Sequence, residues 1–429
     1  MTSLNTVIRP INQPPVNDFG TSMRVSGDGT RLVVGDIMTG NTLTDGGCIY
    51  VFCYSTTGTS WVQEAKLYPN VRTLGSRFGW SVSINHDGSK IIVGAPYDNN
   101  KNNETDVPGC GAAYIFERTN TTWNQTKILK TNTLVTNDKF GYAVDINESG
   151  NRVIVGAPQK TSPPAPEGKS FVGAGAAYIF NYSNSSWDTG YLLTSREYLG
   201  SDDHLGSSVS INAIGNIVAI GARGDRSGEN LNGAAYVFRY RANPANGVHW
   251  ILKQKMLAAV LGREEEYGHA LSLSTTGEYL AIGGFNRTTY YQGGGAVDVW
   301  KKQSDNSYIM IDTIIQDNAT QSKIKPCYQA YFGWSVSFLG TSNLLLIGAP
   351  GTVYEGLEGA GVAYCYKNVN DKFTMIKLLL SPPIASGDGY GSSVCLGESS
   401  TGNTAGTRQM LVAAAGNNTG KISCHWETF

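Results

Sequence analysis

An aromatic residue or leucine followed by glycine recurs seven times along the chain, at Phe19-Gly20, Phe78-Gly79, Phe140-Gly141, Leu205-Gly206, Tyr267-Gly268, Phe332-Gly333 and Tyr390-Gly391. The successive intervals are 59, 62, 65, 62, 65 and 58 residues. A period that holds near sixty while its length varies is what one supersecondary unit with loops of different size produces. Within each period the same apolar runs return. The second unit reads FGWSVSI, KIIVGAP, GAAYIF and WNQTKIL, and the third repeats FGYAVDI, RVIVGAP and GAAYIF. Runs of four to seven β-branched and aromatic residues between Gly, Asn, Asp and Ser clusters read as strands, and none sustains a helical period. The chain is expected to be all-β.

In the first run of the second unit, strict alternation sets Phe78, Trp80, Val82 and Ile84 on one face and Gly79, Ser81 and Ser83 on the other. Large residues opposite small uncharged ones suit sheets that stack face to face. Seven four-stranded sheets arranged radially form a seven-bladed β-propeller, and residues 1–429 are expected to make one such domain. Its blades open near 19, 78, 140, 205, 267, 332 and 390. The last unit has only three strands before the chain ends. Val7 stands twelve residues before Phe19, as Ile128 stands twelve before Phe140. Residues 5–10 are therefore expected to complete the seventh blade by pairing with residues near 421–426.

Gly94-Ala95-Pro96, Gly156-Ala157-Pro158 and Gly348-Ala349-Pro350 follow their aromatic-glycine pairs in register. This combination resembles the FG-GAP repeat of integrin α-chain head propellers and of many microbial and viral proteins, over essentially the whole chain. The resemblance implies a ring whose partners approach one face. Long, irregular loops after the second strand, such as 97–110 and 159–174, share a rim with the loops between units, such as 130–138. Binding residues concentrate on loops held by a rigid frame, so this rim is the expected partner surface. Calcium-binding members of the family carry several carboxylates in the loop between the first two strands. Here that loop is a short glycine turn in which only Asp28 and Asp87 echo the pattern, so no calcium is expected there.

Function classes narrow by exclusion. With 33 basic and 34 acidic residues the net charge is −1, which gives no electrostatic case for nucleic acid or anionic membrane. No apolar stretch has the length of a membrane helix, and MTSLNTVIRPINQPP shows no secretory signal. The seven cysteines lack a CxxC pair, and several lie in strands, where a thiol serves as a small apolar residue; a disulfide is the other reading. The five histidines are scattered, and no Ser/His/Asp set, phosphate loop or nucleotide fingerprint is present. The chain is expected to be no enzyme and to hold no catalytic residue, cofactor or metal.

What remains is a protein-interaction or structural scaffold, a surface, extracellular or virion component, binding a protein or glycan on the long-loop face. The alternative is a carbohydrate-binding propeller acting as an adhesin. Candidate contacts are Arg223, Gly224 and Asp225, an adhesion tripeptide expected to be exposed on the rim, and the rim aromatics Tyr97, Tyr290 and Tyr291. Nine N-x-S/T sequons, starting at Asn103, Asn120, Asn124, Asn147, Asn181, Asn184, Asn286, Asn318 and Asn417, permit glycans if the chain is exported. Trp61, Trp123, Trp187 and Trp250 recur in register and read as packing at the outer strands, with sugar platforms as the minority reading.

Overall fold

A computed structural model of the chain describes residues 5–11, 18–38, 46–55, 60–99, 107–162, 164, 168–195, 200–226, 232–243, 247–258, 265–289, 292–316, 323–325, 328–340, 343–380, 383–398, 407–414 and 421–428. Among these residues every regular element is a strand. Six antiparallel sheets have four strands. A seventh has five, because its outer strand is broken into Ser186–Trp187 and Tyr191–Leu193. In the second sheet the chain runs outward through Ser81–Ile84, Lys90–Ala95, Ala112–Thr119 and Thr122–Leu129, and all but the last follow the same order. The sheets are the blades of a β-propeller, numbered below in chain order.

The ring closes through Asn5–Ile8, which pairs antiparallel with the last strand, from Asn5 opposite His425 to Ile8 opposite Ile422. The pairing is shorter than the 5–10 expected, and Pro10, with no N–H, could not extend such a ladder as a donor. Ile8 is buried with Phe19, Met23 and Ile422, which ties the last blade to the first.

The structure shows why the repeated glycines stand where they do. In every blade the residue after the aromatic-glycine pair donates its N–H to the carbonyl of the residue before it, at 3.0–3.2 Å. The glycine has φ of 87–95°, as the third position of a type II turn requires. The pair is thus a β-turn capping the inner strand. In blade 2 the strand begins only at Ser81, so the alternation read through Phe78 breaks at the turn: Phe78 is fully buried against Tyr114 and Phe116, whereas Trp80 turns toward the axis end. The glycine of Gly-Ala-Pro is constrained from outside its own blade. A Cβ on Gly94 would lie 2.0 Å from the carbonyl oxygen of Gly141 in the next blade. Only a bare Cα lets the blades approach this closely.

Two girdles of hydrogen bonds reinforce the ring. Serines of the inner strands donate to the next blade's turn glycine: Ser22 to Gly79, Ser81 to Gly141, Ser208 to Gly268 and Ser335 to Gly391, at 2.6–3.0 Å. Two residues further along, Ser210, Ser272 and Ser337 accept the backbone N–H of Leu273, Phe338 and Leu396 at 2.9–3.2 Å. In the last blade Cys395 takes the serine position and is buried in one cluster with Val25 of the first. None of the six described cysteines is in a disulfide, and Cys327 lies outside the described residues.

Candidate functional site

The axis has two ends of different chemistry. At the short-turn end the inner strands enclose a cavity of about 250 Å³ lined by residues of all seven blades. Asp145 is its hub and is only 4% exposed. Its carboxylate accepts from Ser83 Oγ at 2.8 Å, from the Ile146 N–H at 3.0 Å and from the Ile211 N–H at 2.9 Å, and pairs with Arg24 at 3.4 Å. Arg24 reaches it from blade 1, across blade 2, and so spans the channel. These contacts tie the carboxylate of blade 3 to blades 1, 2 and 4. The adjoining short turns use their acids locally: Asp28 accepts from Ser26 and Thr30, and Asp87 from Asn85 and Ser89. Among the described residues no group of three or more His, Cys, Asp or Glu side chains converges as a metal site.

The long-loop end is built differently. Each aromatic-glycine turn is flanked there by two residues, one before the pair and one after. The leading residues are Asp18, Arg77, Lys139, His204, Glu266, Tyr331 and Gly389. Arg77, Lys139, His204, Glu266 and Tyr331 are held at φ of 50–59°, a left-handed conformation costly for side chains with a Cβ. The following residues are Thr21, Trp80, Tyr142, Ser207, His269, Trp334 and Ser392. The mouth is therefore lopsided, with rings in blades 2, 3, 5 and 6 and small residues in blades 7, 1 and 4.

Contacts link these side chains around the mouth. Trp80 packs on Tyr97 and Tyr142, with ring centroids at 6.2 and 5.4 Å. The Arg77 guanidinium and Lys139 ammonium both lie over the Tyr97 ring, at 4.5 and 4.0 Å. On the other side His269 is wedged between Phe285 and Trp334, at 4.6 and 4.7 Å, with Tyr331 completing the group. Arg223 stands between the two groups and pairs with Glu266 at 3.6 Å. Burial, with the Arg223 charge second, pulls His269 down to about 3, so the imidazole is neutral at physiological pH. Burial raises Tyr142 despite the opposing pull of Arg223. Beside the mouth a charged cleft of about 400 Å³ is lined by Asp202, His204, Arg223, Arg226, Glu266 and Asn286.

The expected site residues divide. Tyr97 belongs to the mouth and is partly exposed. Tyr290 and Tyr291 lie outside the described residues. The tripeptide is corrected: Arg223 is at the surface, but Asp225 is only 1% exposed, pairs with Lys255 at 2.9 Å and accepts the Tyr236 hydroxyl. Alignment of the blades gives the reason. Gly221-Ala222-Arg223-Gly224-Asp225 occupies the place of Gly94-Ala95-Pro96-Tyr97-Asp98, and Asp98 is likewise buried and accepts the Tyr114 hydroxyl at 2.6 Å. Asp225 is the blade-4 copy of a structural acid, so the tripeptide does not present its carboxylate to a partner. Gly224 lies against the Asp202 carbonyl, where a Cβ would come within 2.1 Å. The outer-strand tryptophans Trp123, Trp187 and Trp250 are buried, at 6–7% exposure, and act as packing.

The residues that sequence reasoning missed are those flanking the aromatic-glycine pairs: Arg77, Trp80, Lys139, Tyr142, Glu266, His269, Tyr331 and Trp334. Their shared signal is register, since each adjoins a recognised pair. Their chemistry differs from blade to blade, so similarity could not reveal them.

Residues 61–116, 123–180 and 199–238 match the family model of the FG-GAP repeat. The first two matches run from the outer strand of one blade through the third strand of the next, and the third ends in the third strand of blade 4. No curated protein matches the chain. Among the described residues no helix is long and apolar enough to cross a membrane. The chain carries FG-GAP repeats, and these repeats are built into a β-propeller.

Proposed function

We propose that the protein is a non-enzymatic scaffold that docks a macromolecular partner on the mouth at the long-loop end of its axis, as a surface component of a cell or virion. One observation carries this reading. Turns whose main chain is fully used inside the ring present Trp80, Tyr97, Tyr142 and Trp334 partly exposed, beside Arg77, Lys139 and Arg223. Exposed tryptophan and tyrosine rings beside arginines are the composition of binding hot spots, and the residues before the pairs hold a left-handed conformation of the kind that clusters at functional sites. The opposite end, with its engaged Asp145, supports closure of the ring instead. Exposed sequons at Asn120, Asn124 and Asn184 agree with a surface location.

The test is affinity capture from the native source, followed by mass spectrometry, with wild-type protein and a Trp80→Ala/Trp334→Ala variant side by side. The reading expects one partner, recovered by the wild type and lost by the folded variant. Equal recovery by both would place the docking surface elsewhere.

A further inference from the structure

Two cations at the mouth make no ion pair among the described residues. Arg77, before the pair of blade 2, and Lys139, before that of blade 3, converge on the one Tyr97 ring. Among the described residues neither has a carboxylate within ion-pair distance, and the ammonium of Lys139 is given only the Asn137 side-chain oxygen, at 3.2 Å. The acid nearest in effect is Asp18. Burial raises its carboxyl and the Arg77 charge opposes that shift, but Asp18 makes no ion pair with the guanidinium. Lys139 is lowered, first by burial and then by Arg77 itself. More deeply buried cations are paired with acids, Lys160 with Asp138, Lys255 with Asp225, Arg287 with Asp298 and Lys421 with Asp388. Half-buried Lys66 and Arg152 lie over the Tyr50 and Tyr240 rings, each the single cation on that ring among the described residues. A like-charged pair kept on one ring is unfavourable unless something negative completes it.

The surroundings narrow what that group is attached to. The turn N–H groups beside it are already used: Gly79 and Gly141 donate to Gly94 and Gly156, and Trp80 and Tyr142 to Arg77 and Lys139. A peptide main chain would find no ladder here. Rings are available instead, since Trp80 and Tyr142 meet at 49° and are both partly exposed. A flat, largely C–H face against tilted rings, with an acid group reaching two cations, is the chemistry of a pyranose carrying a carboxylate.

Building on the mouth as the docking surface, we propose that its blade 2–3 side binds an acidic sugar, the carboxylate seated between Arg77 and Lys139 and the sugar ring against Trp80 and Tyr142. The partner is then a glycan or a glycosylated protein bearing sialic or uronic acid residues.

The experiment is calorimetric titration of the whole chain with four probes: a sialylated trisaccharide, a uronate disaccharide, the same disaccharide with its carboxyl reduced, and an oligoglutamate peptide. A carboxylated sugar should bind, its carboxyl-reduced counterpart at least tenfold more weakly. Arg77→Gln and Lys139→Gln should each weaken the acid sugar about tenfold while leaving the thermal midpoint unchanged, the loss expected of one charge-assisted contact. Affinity should also fall as salt rises. The inference is overturned if neutral and acidic sugars bind equally, if only the peptide binds, if no probe binds, or if both variants bind as the wild type does. Its failure is separable from that of the docking surface. A partner captured through Trp80 and Trp334 with no acid-sugar binding sinks this inference alone, whereas capture indifferent to those tryptophans sinks the broader reading.

Discussion

Gly94→Ala separates the two roles that glycine has in this ring. Gly94 has an ordinary φ, so alanine pays no conformational penalty there. The new Cβ, however, would sit 2.0 Å from the Gly141 carbonyl oxygen and 2.3 Å from Ser81 Oγ, inside the girdle joining blades 2 and 3. Relief requires the blades to part by more than an ångström and the 3.0 Å Ser81–Gly141 hydrogen bond to stretch. Overpacking of a close-packed interface with loss of one hydrogen bond amounts to about 3–4 kcal/mol. The control is Gly75→Ala, where φ is +70° but nothing lies within 4 Å of the added carbon. That change costs about 1 kcal/mol, from conformation alone. For a chain of 429 residues, unfolding entropy scaled by length converts 4 kcal/mol to a fall in melting temperature of about 4 °C, and 1 kcal/mol to about 1 °C. Scanning calorimetry of the three proteins resolves the difference. If Gly75→Ala is the more damaging of the two, the blades do not meet through this glycine and the packing argument is refuted.

Other expectations follow from buried charges. Asp225→Ala strips Lys255 of its buried partner and should cost about 3–5 kcal/mol in denaturant unfolding, while Arg223→Ala should cost under about 1 kcal/mol; an adhesion motif of purely surface residues would show no such asymmetry. Asp36 is fully buried, neither carboxylate oxygen has a hydrogen-bond partner among the described residues, and burial raises its carboxyl to about 6. Stability contributed by its protonated form is lost as pH rises from about 4 to 6, so Asp36→Asn should stabilise by about 2–3 kcal/mol at pH 8 and by little at pH 4. His425 is buried against the Tyr390 hydroxyl at 2.9 Å, and burial lowers it to about 4. Between about pH 6.5 and 4 the unfolded chain binds a proton there that the folded chain refuses. The wild type should therefore lose about 2 kcal/mol more than His425→Gln between pH 7.5 and 5, read from urea midpoints.

The fold was legible because the features that make it are repeated in kind. A buried aromatic, a turn glycine and a glycine at the blade contact must be the same in each unit, since each meets the same neighbour. The closing strand was legible for a related reason: Val7 keeps the distance from Phe19 that Ile128 keeps from Phe140. The mouth was not legible, because a turn aims whatever side chain it carries, and Arg77, Glu266 and Tyr331 have nothing in common except the residue that follows them. Asp225 was misread since its tripeptide hides an alignment with Asp98, and its tyrosine and lysine partners lie eleven and thirty residues downstream. Blade 5 shows how far such pairs drift. There Asp298 holds the tyrosine position and Arg287 the acid position, an exchange visible only once the two are seen 2.9 Å apart.

The claim that matters most is that partners dock at the long-loop end. A photo-reactive amino acid placed at Tyr97 or Trp334, and separately at Asn120 or Asn184 on exposed turns of the opposite face, can be activated in the native source. Cross-linking of one partner from the first two positions and from neither of the others is the predicted result. A partner trapped only from Asn120 or Asn184 would contradict the account.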